Sequence, residues 1–291
     1  MPLIHKPLKL QQSKRFLVAI DSDGCVFDTM EVKHKECFCP VTIRHFRLQA
    51  ASRYARDAWE FVNLYSRLRG TNRFPALIAV MDLLRDRAEV QHRNIVPPVL
   101  NELRKWIRTE SKLGNPALRM AASGSEELTD VLKWSEEINR AVDAMVHGVP
   151  PFPQVHACLE KAAGLADMMV ASSTPRSALQ REWTEHGLAR FVQVIAGQET
   201  GSKTEQLTNA AAAQYAPDCM LMIGDAFGDY KAAHNVGACF YPILPGDEES
   251  SWERLLTDAL DLFVAGLYRG PYEEARIREL RAVLPNNPPW D

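Results

Sequence analysis

The feature that most constrains this chain is a lone strand cut off from its partners. Phe16-Leu-Val-Ala-Ile20 is a five-residue apolar run that reads as a buried parallel strand. No convincing strand follows until about residue 167. In between, Ala51, Tyr54, Ala58, Val62 and Tyr65 recur at helical steps, and Gly70-Thr-Asn-Arg-Phe-Pro75 breaks the pattern, with Pro75 suited to the first turn of a successor. Further helical patterns cover 76–88, 97–113 and 124–146, and Gly148-Val-Pro-Pro-Phe-Pro153 stops the helical run. Beyond it, strand-like 167–171, 191–196, 219–223 and 238–242 alternate with helices through 155–164, 175–186, from 202 and 230–236, and 250–284 is helical in pattern.

Strands alternating with helices imply a parallel sheet covered on both faces. The predicted fold is therefore α/β: a Rossmann-like parallel sheet core, built from 1–30 and 150–291, with an inserted all-α domain over 31–149. The crossings near Thr29–Val32 and Gly148–Pro153 are expected to lie side by side as a two-stranded hinge.

Bulk properties exclude several classes. The chain has 291 residues, 46% apolar and 24% charged, with a net charge of -3 and no basic tract, so nothing draws it to nucleic acid. No segment reaches bilayer length, and Met1–Pro7 lacks the apolar core of a signal peptide, so a cytoplasmic protein without membrane association is expected. The six cysteines show no disulfide framework, and His34, Cys37, Cys39 and His45 match no common zinc spacing.

The first strand ends in Asp21-Ser-Asp23-Gly24. Open α/β sheets bind ligands beyond the carboxyl ends of their strands, and residues two apart on a strand can share a side. Two acids there can hold a divalent cation, supply an oxygen nucleophile and move a proton. Ser172-Ser173-Thr174 ends the next strand, Lys203 opens a helix after the third, and Gly224-Asp225-Ala-Phe-Gly-Asp229 ends the fourth. In a parallel sheet all four groups lie on one edge.

In order and spacing these motifs resemble the haloacid dehalogenase superfamily, in its phosphatase branch with a helical cap inserted after the first motif. That pattern is DxDG, a Ser or Thr after an apolar strand, a Lys, then GDxxxD; here it falls on Asp21–Gly24, Ser172, Lys203 and Gly224–Asp229. The resemblance implies a magnesium-dependent phosphatase of a small phosphorylated metabolite, with the backbone carbonyl of Asp23 among the metal ligands and a cap that closes over the core and contacts substrate.

The residue chemistry is coherent with this. Asp21 attacks phosphorus to give an aspartyl-phosphate. Mg2+, held by Asp21, Asp23, Asp225 and Asp229, offsets the repulsion between carboxylate and phosphate. Lys203 adds fixed positive charge, Ser172 and Ser173 hydrogen-bond phosphoryl oxygens, and Asp23 protonates the leaving group and then deprotonates water. Blander readings stand beside these: Asp21 or Asp23 as turn acids, Ser172 as a helix cap with Ser173 or Thr174 in its place, Lys203 as a solvated lysine behind the cap Ser202, and Asp229 as a group that orients Lys203. In the insertion, Arg69, Asn72 and Arg73 form a basic turn suited to an anionic or polyhydroxylated substrate portion, or simply a solvated turn. Trp59, Trp106 and Trp134 read as core.

Other functions remain in view. A phosphomutase of the β-phosphoglucomutase type shares Asp21 and Asp23. A phosphonate hydrolase is disfavoured because no lysine lies between Lys35 and Lys105. Haloacid dehalogenation is disfavoured by the presence of Asp23. A non-catalytic phosphate-dependent binding protein is the reading from outside enzymology.

Overall fold

A computed structural model describes residues 10–212 and 215–290. The chain divides into two compact units: Met1–Thr29 with Gly148–Leu284, and Met30–His147 with Pro285–Asp291.

The first unit holds a five-stranded sheet: β1 (Phe16–Ile20), β2 (Ala166–Ala171), β3 (Val194–Ala196), β4 (Met220–Gly224) and β5 (Cys239–Pro242), in the order β3-β2-β1-β4-β5. All pairings are parallel, with Ile20 opposite both Val170 and Ile223. The lone strand of the sequence thus becomes the centre of the sheet. Strand order reverses on its two sides, which is where α/β sheets open a crevice.

Both faces are buried, and the period of two sorts side chains between them. Val18, Ile20, Met168, Val170, Leu221 and Ile223 meet the helices Val155–Leu165 and Arg176–Glu185 and the C-terminal helical turns around Trp252 and Phe263. Leu17, Ala19, Met169, Ala171, Met220 and Met222 face Lys203–Ala211, Phe227–Asn235 and Pro271–Val283. Continuous apolar runs are what two buried faces require.

Two predicted elements are shorter than expected. Residues 191–196 narrow to β3 because Ala189–Phe191 form a 3-10 turn, and the Phe191 ring turns aside onto His156, 5.2 Å between centroids. The helix predicted over 97–113 runs only from Asn101 to Thr109. Pro97 and Pro98 donate no backbone hydrogen bond, and Leu100 is left-handed at φ 57.

The second unit is helical, with main helices Cys39–His45, Ser52–Asn63, Arg73–Asp86, Asn101–Thr109, Asn115–Ala121 and Glu126–Met145. Trp59 and Trp134 meet edge to face at 6.5 Å, and Phe74 sits between Trp134 and Trp106, so the three tryptophans are core as expected. Trp134 Nε1 donates to Thr42 Oγ1 at 3.0 Å, satisfying its buried polar end. The tail from Pro285, expected with the sheet, groups here instead: Arg67 N donates to the Pro285 carbonyl, and Trp290 packs on Phe61. At the base of the first unit the two connecting segments run antiparallel, Phe27 bridging Pro151 and Phe152 N donating to the Val26 carbonyl at 2.9 Å.

Candidate active site

β1 ends in a tight turn. The Ser22 carbonyl accepts from the amides of Cys25, Val26 and Phe27, and Gly24 takes φ 71 at its apex, where a side chain would strain the backbone. Asp21 continues the sheet register, donating its amide to the Ile223 carbonyl at 2.9 Å, and its Oδ1 accepts from Ser22 N at 2.8 Å. Ser22, fully buried, accepts from Trp183 Nε1 at 3.0 Å. An indole on the helix Arg176–Glu185 therefore fixes the residue between the two acids.

Lys203 is the first residue of its helix, behind a capping box in which Ser202 and Glu205 exchange hydrogen bonds. Its Nζ lies 2.6 Å from Asp21 Oδ2 and 2.5 Å from Asp229 Oδ1. The ammonium is thus inside the site, and the solvated reading of Lys203 fails. Gln206, fully buried, orients that helix by donating to the carbonyls of Ser172, Gly197 and Gly201 at 3.0, 3.0 and 3.1 Å.

Past β4, Gly224 lets the next helix fold back closely: a Cβ there would lie 2.5 Å from the Asp229 side chain. Asp229 is completely buried and its Oδ2 accepts from Ala226 N at 3.1 Å. Asp21, Asp225 and Asp229 each offer a carboxylate oxygen within 4.8 Å of the others'. They are the one such cluster of three potential ligands among the described residues.

Burial raises the pKa of Asp21, opposed by Lys203 and reinforced by Asp225. Burial likewise pushes Asp229 up to about 6 against the pull of Lys203. Burial works against the charge on Lys203, yet the facing Asp21 and Asp229 carboxylates hold its pKa above the ordinary lysine value. Three buried acids against one ammonium leave an excess of negative charge that a cation would compensate. An all-oxygen donor set fits a hard ion such as Mg2+.

Asp23 stands apart from that cluster. Its Oδ1 accepts from Thr29 Oγ1 and its Oδ2 from Thr174 Oγ1, each at 2.7 Å, and it is not one of the three acids, Asp21, Asp225 and Asp229, that converge. Ser172 is buried at the end of β2, its amide donating to the Ala196 carbonyl and its Oγ accepting from Thr174 N at 3.3 Å, whereas Ser173 is exposed.

The basic turn of the helical unit is engaged internally. Arg69 is buried and donates to the Leu64 carbonyl, and Asn72 caps the next helix through Phe74 N. Arg73 donates to Ser135 and Asn139 and lies over the Phe38 ring, with burial lowering its pKa to about 10. These hydrogen bonds tie helices of the unit together and do not test the substrate contact weighed for the same side chains. Sequence reasoning had no sight of Thr29, Trp183 or Gln206, whose partners are remote or backbone atoms. Thr174 it had considered only as a substitute for Ser172.

A model of the haloacid dehalogenase-like hydrolases matches residues 17–237. No curated protein sequence matches the chain. Among solved structures, a haloacid dehalogenase-like hydrolase from Bacteroides fragilis superposes with TM-score 0.51 at 16% identity, covering 82% of this chain and 93% of its own. A family hydrolase from Xanthomonas campestris gives TM-score 0.47 at 11% identity, with 91% and 99% covered. A predicted phosphoglycolate phosphatase from Haemophilus somnus gives 0.42 at 15% identity, with 79% and 86% covered. At such identities the likeness is one of fold. With the family match spanning most of the chain, including both acidic motifs, the protein belongs to the haloacid dehalogenase-like hydrolases.

Proposed function

We propose that the chain is a magnesium-dependent phosphoric monoester hydrolase of a small phosphorylated metabolite, acting through an aspartyl-phosphate on Asp21. The observation that carries this is the placement of Asp21: at the end of the central strand, with one oxygen held by Lys203 and the other by Ser22 N, beside Asp225 and Asp229.

Both oxygens are held by donors, so the carboxylate is preoriented as an oxygen nucleophile. Lys203 stabilises charge on the transferring phosphoryl group, and Ser172, with amides at the ends of β1 and β2, supports its oxygens. Asp225 and Asp229, together with Asp21 and the Asp23 carbonyl, are the residues that would hold Mg2+. The ion would supply charge neutralisation between the carboxylate and the phosphate. Asp23, outside the cluster, gives a proton to the leaving oxygen and takes one from water in the second step.

Nothing in this set of residues recognises a leaving group. We assign that task to the helical unit, 31–149, acting as a cap. Phosphate release from p-nitrophenyl phosphate, dependent on magnesium and lost in Asp21→Asn, tests the reading.

A further inference from the structure

We infer that Thr174 is the positioning residue for Asp23, tying the loop that receives phosphoryl oxygens to the group that moves the proton. This rests on the phosphatase reading above.

Thr174 Oγ1 donates to Asp23 Oδ2 at 2.7 Å across 151 residues of sequence. The other carboxylate oxygen is held from a different direction by Thr29. With a hydroxyl on each oxygen, the Asp23 carboxyl has one orientation, and its distance from the Asp21 nucleophile is set by the sheet. Removing one of these two hydroxyls loosens the hold on the carboxyl, and a displacement of about 1 Å in a reacting group costs up to roughly 100-fold in rate.

The Thr174 backbone is pinned independently of its hydroxyl. Its amide donates to Ser172 Oγ at 3.3 Å, its carbonyl accepts from Gln198 N at 3.0 Å, and Pro175 follows it. Gly197 makes that approach possible, because a Cβ there would lie 2.7 Å from the Thr174 carbonyl oxygen. A residue of the same shape without the hydroxyl should leave the loop in place and release only Asp23. Thr174 lies outside the helix Arg176–Glu185, whose N-cap is Pro175.

Asp23 acts in both chemical steps. In the first, a bond forms between Asp21 and phosphorus, the bond from phosphorus to the leaving oxygen breaks, and that oxygen takes the Asp23 proton. In the second, water adds to phosphorus, its proton goes to Asp23, and the bond from phosphorus to Asp21 breaks. The hydroxyl of Thr174 suits both, because it donates to the carboxylate and accepts from the acid. With p-nitrophenyl phosphate the first step hardly needs the proton, since nitrophenolate is a stable anion. The second step always needs the base.

Stopped-flow assay of Thr174→Val with p-nitrophenyl phosphate and magnesium separates the two. The expected result is a nitrophenolate burst stoichiometric with enzyme, followed by a steady-state rate at least about tenfold below wild type. Thr174→Ser, which keeps the hydroxyl, should restore most of that rate. Should the valine variant melt below the assay temperature, Thr174→Ala is read by the same criteria. A wild-type steady-state rate in the variant, a burst lost together with turnover, or no recovery in Thr174→Ser would overturn the assignment. Wild-type protein that releases no nitrophenolate, or releases it equally after Asp21→Asn, refutes the phosphatase reading itself and is recognisable as that separate failure.

Discussion

Two single residues show how narrowly the site is built. Gly224 has no positive φ to explain it; its role is to leave room for Asp229. Gly224→Ala should displace the acid, costing about 1–3 kcal/mol by overpacking. The expected signature is a lower melting temperature and the loss of any magnesium-dependent rise in it, read by thermal shift. At the opposite end of the sheet, Asp167 accepts from the amides of Ser13 and Lys14, from Ser13 Oγ, from Gln193 and from Tyr215 Oη. Burial works to raise its pKa, but the hydrogen bonds from Ser13 and Tyr215 prevail and hold it below its ordinary 3.8. A carboxylate with a depressed folded pKa stabilises the fold above the unfolded value and loses that contribution as pH falls through the folded one. Asp167→Asn should therefore cost about 2 kcal/mol at neutral pH. The deficit should shrink steadily below pH 3.8 in denaturant titrations, whereas a pH-independent deficit would argue for packing alone.

At the scale of elements, the helix Arg176–Glu185 does more than cover the sheet. Trp183 is fully buried and anchors Ser22 between Asp21 and Asp23. Trp183→Phe keeps an aromatic ring but leaves Ser22 Oγ without this donor, a loss of about 1 kcal/mol. Because the affected turn carries both acids, turnover should fall further than stability does; equal changes in kcat and melting behaviour would remove this role. Elements were also where the sequence was most and least legible. Apolar runs closed by acids, hydroxyls or glycine marked β1, β2 and β4 because two buried faces demand continuous hydrophobicity. β3 was overextended because Phe191 is as apolar as a strand residue, yet it packs sideways in a 3-10 turn. The basic turn at Arg69–Arg73 left two readings open because sequence gives charge without partners; the structure supplies partners, Leu64, Ser135 and Asn139, inside the same unit.

For the molecule as a whole, a helical insertion interrupts the sheet unit. The sheet unit brings together residues from positions 21 to 229, and motif order alone foretold that Asp21, Lys203, Asp225 and Asp229 would meet. Hydroxyl and amide groups such as Thr174 and Gln206 left no such trace, since Thr and Gln in loops and helices are ordinary surface residues until their partners are known. The excess of buried acid over ammonium predicts that chelation abolishes turnover and that added magnesium restores it, measured as phosphate release after EDTA treatment and reconstitution. The central claim, that Asp21 itself attacks phosphorus, is tested most directly by acid-quenching the enzyme during turnover of p-nitrophenyl phosphate and mapping the phosphoryl group by peptide mass spectrometry. The account predicts an adduct on Asp21 that hydroxylamine removes. Turnover without any adduct on that residue, or a phosphoryl group found elsewhere, would contradict it.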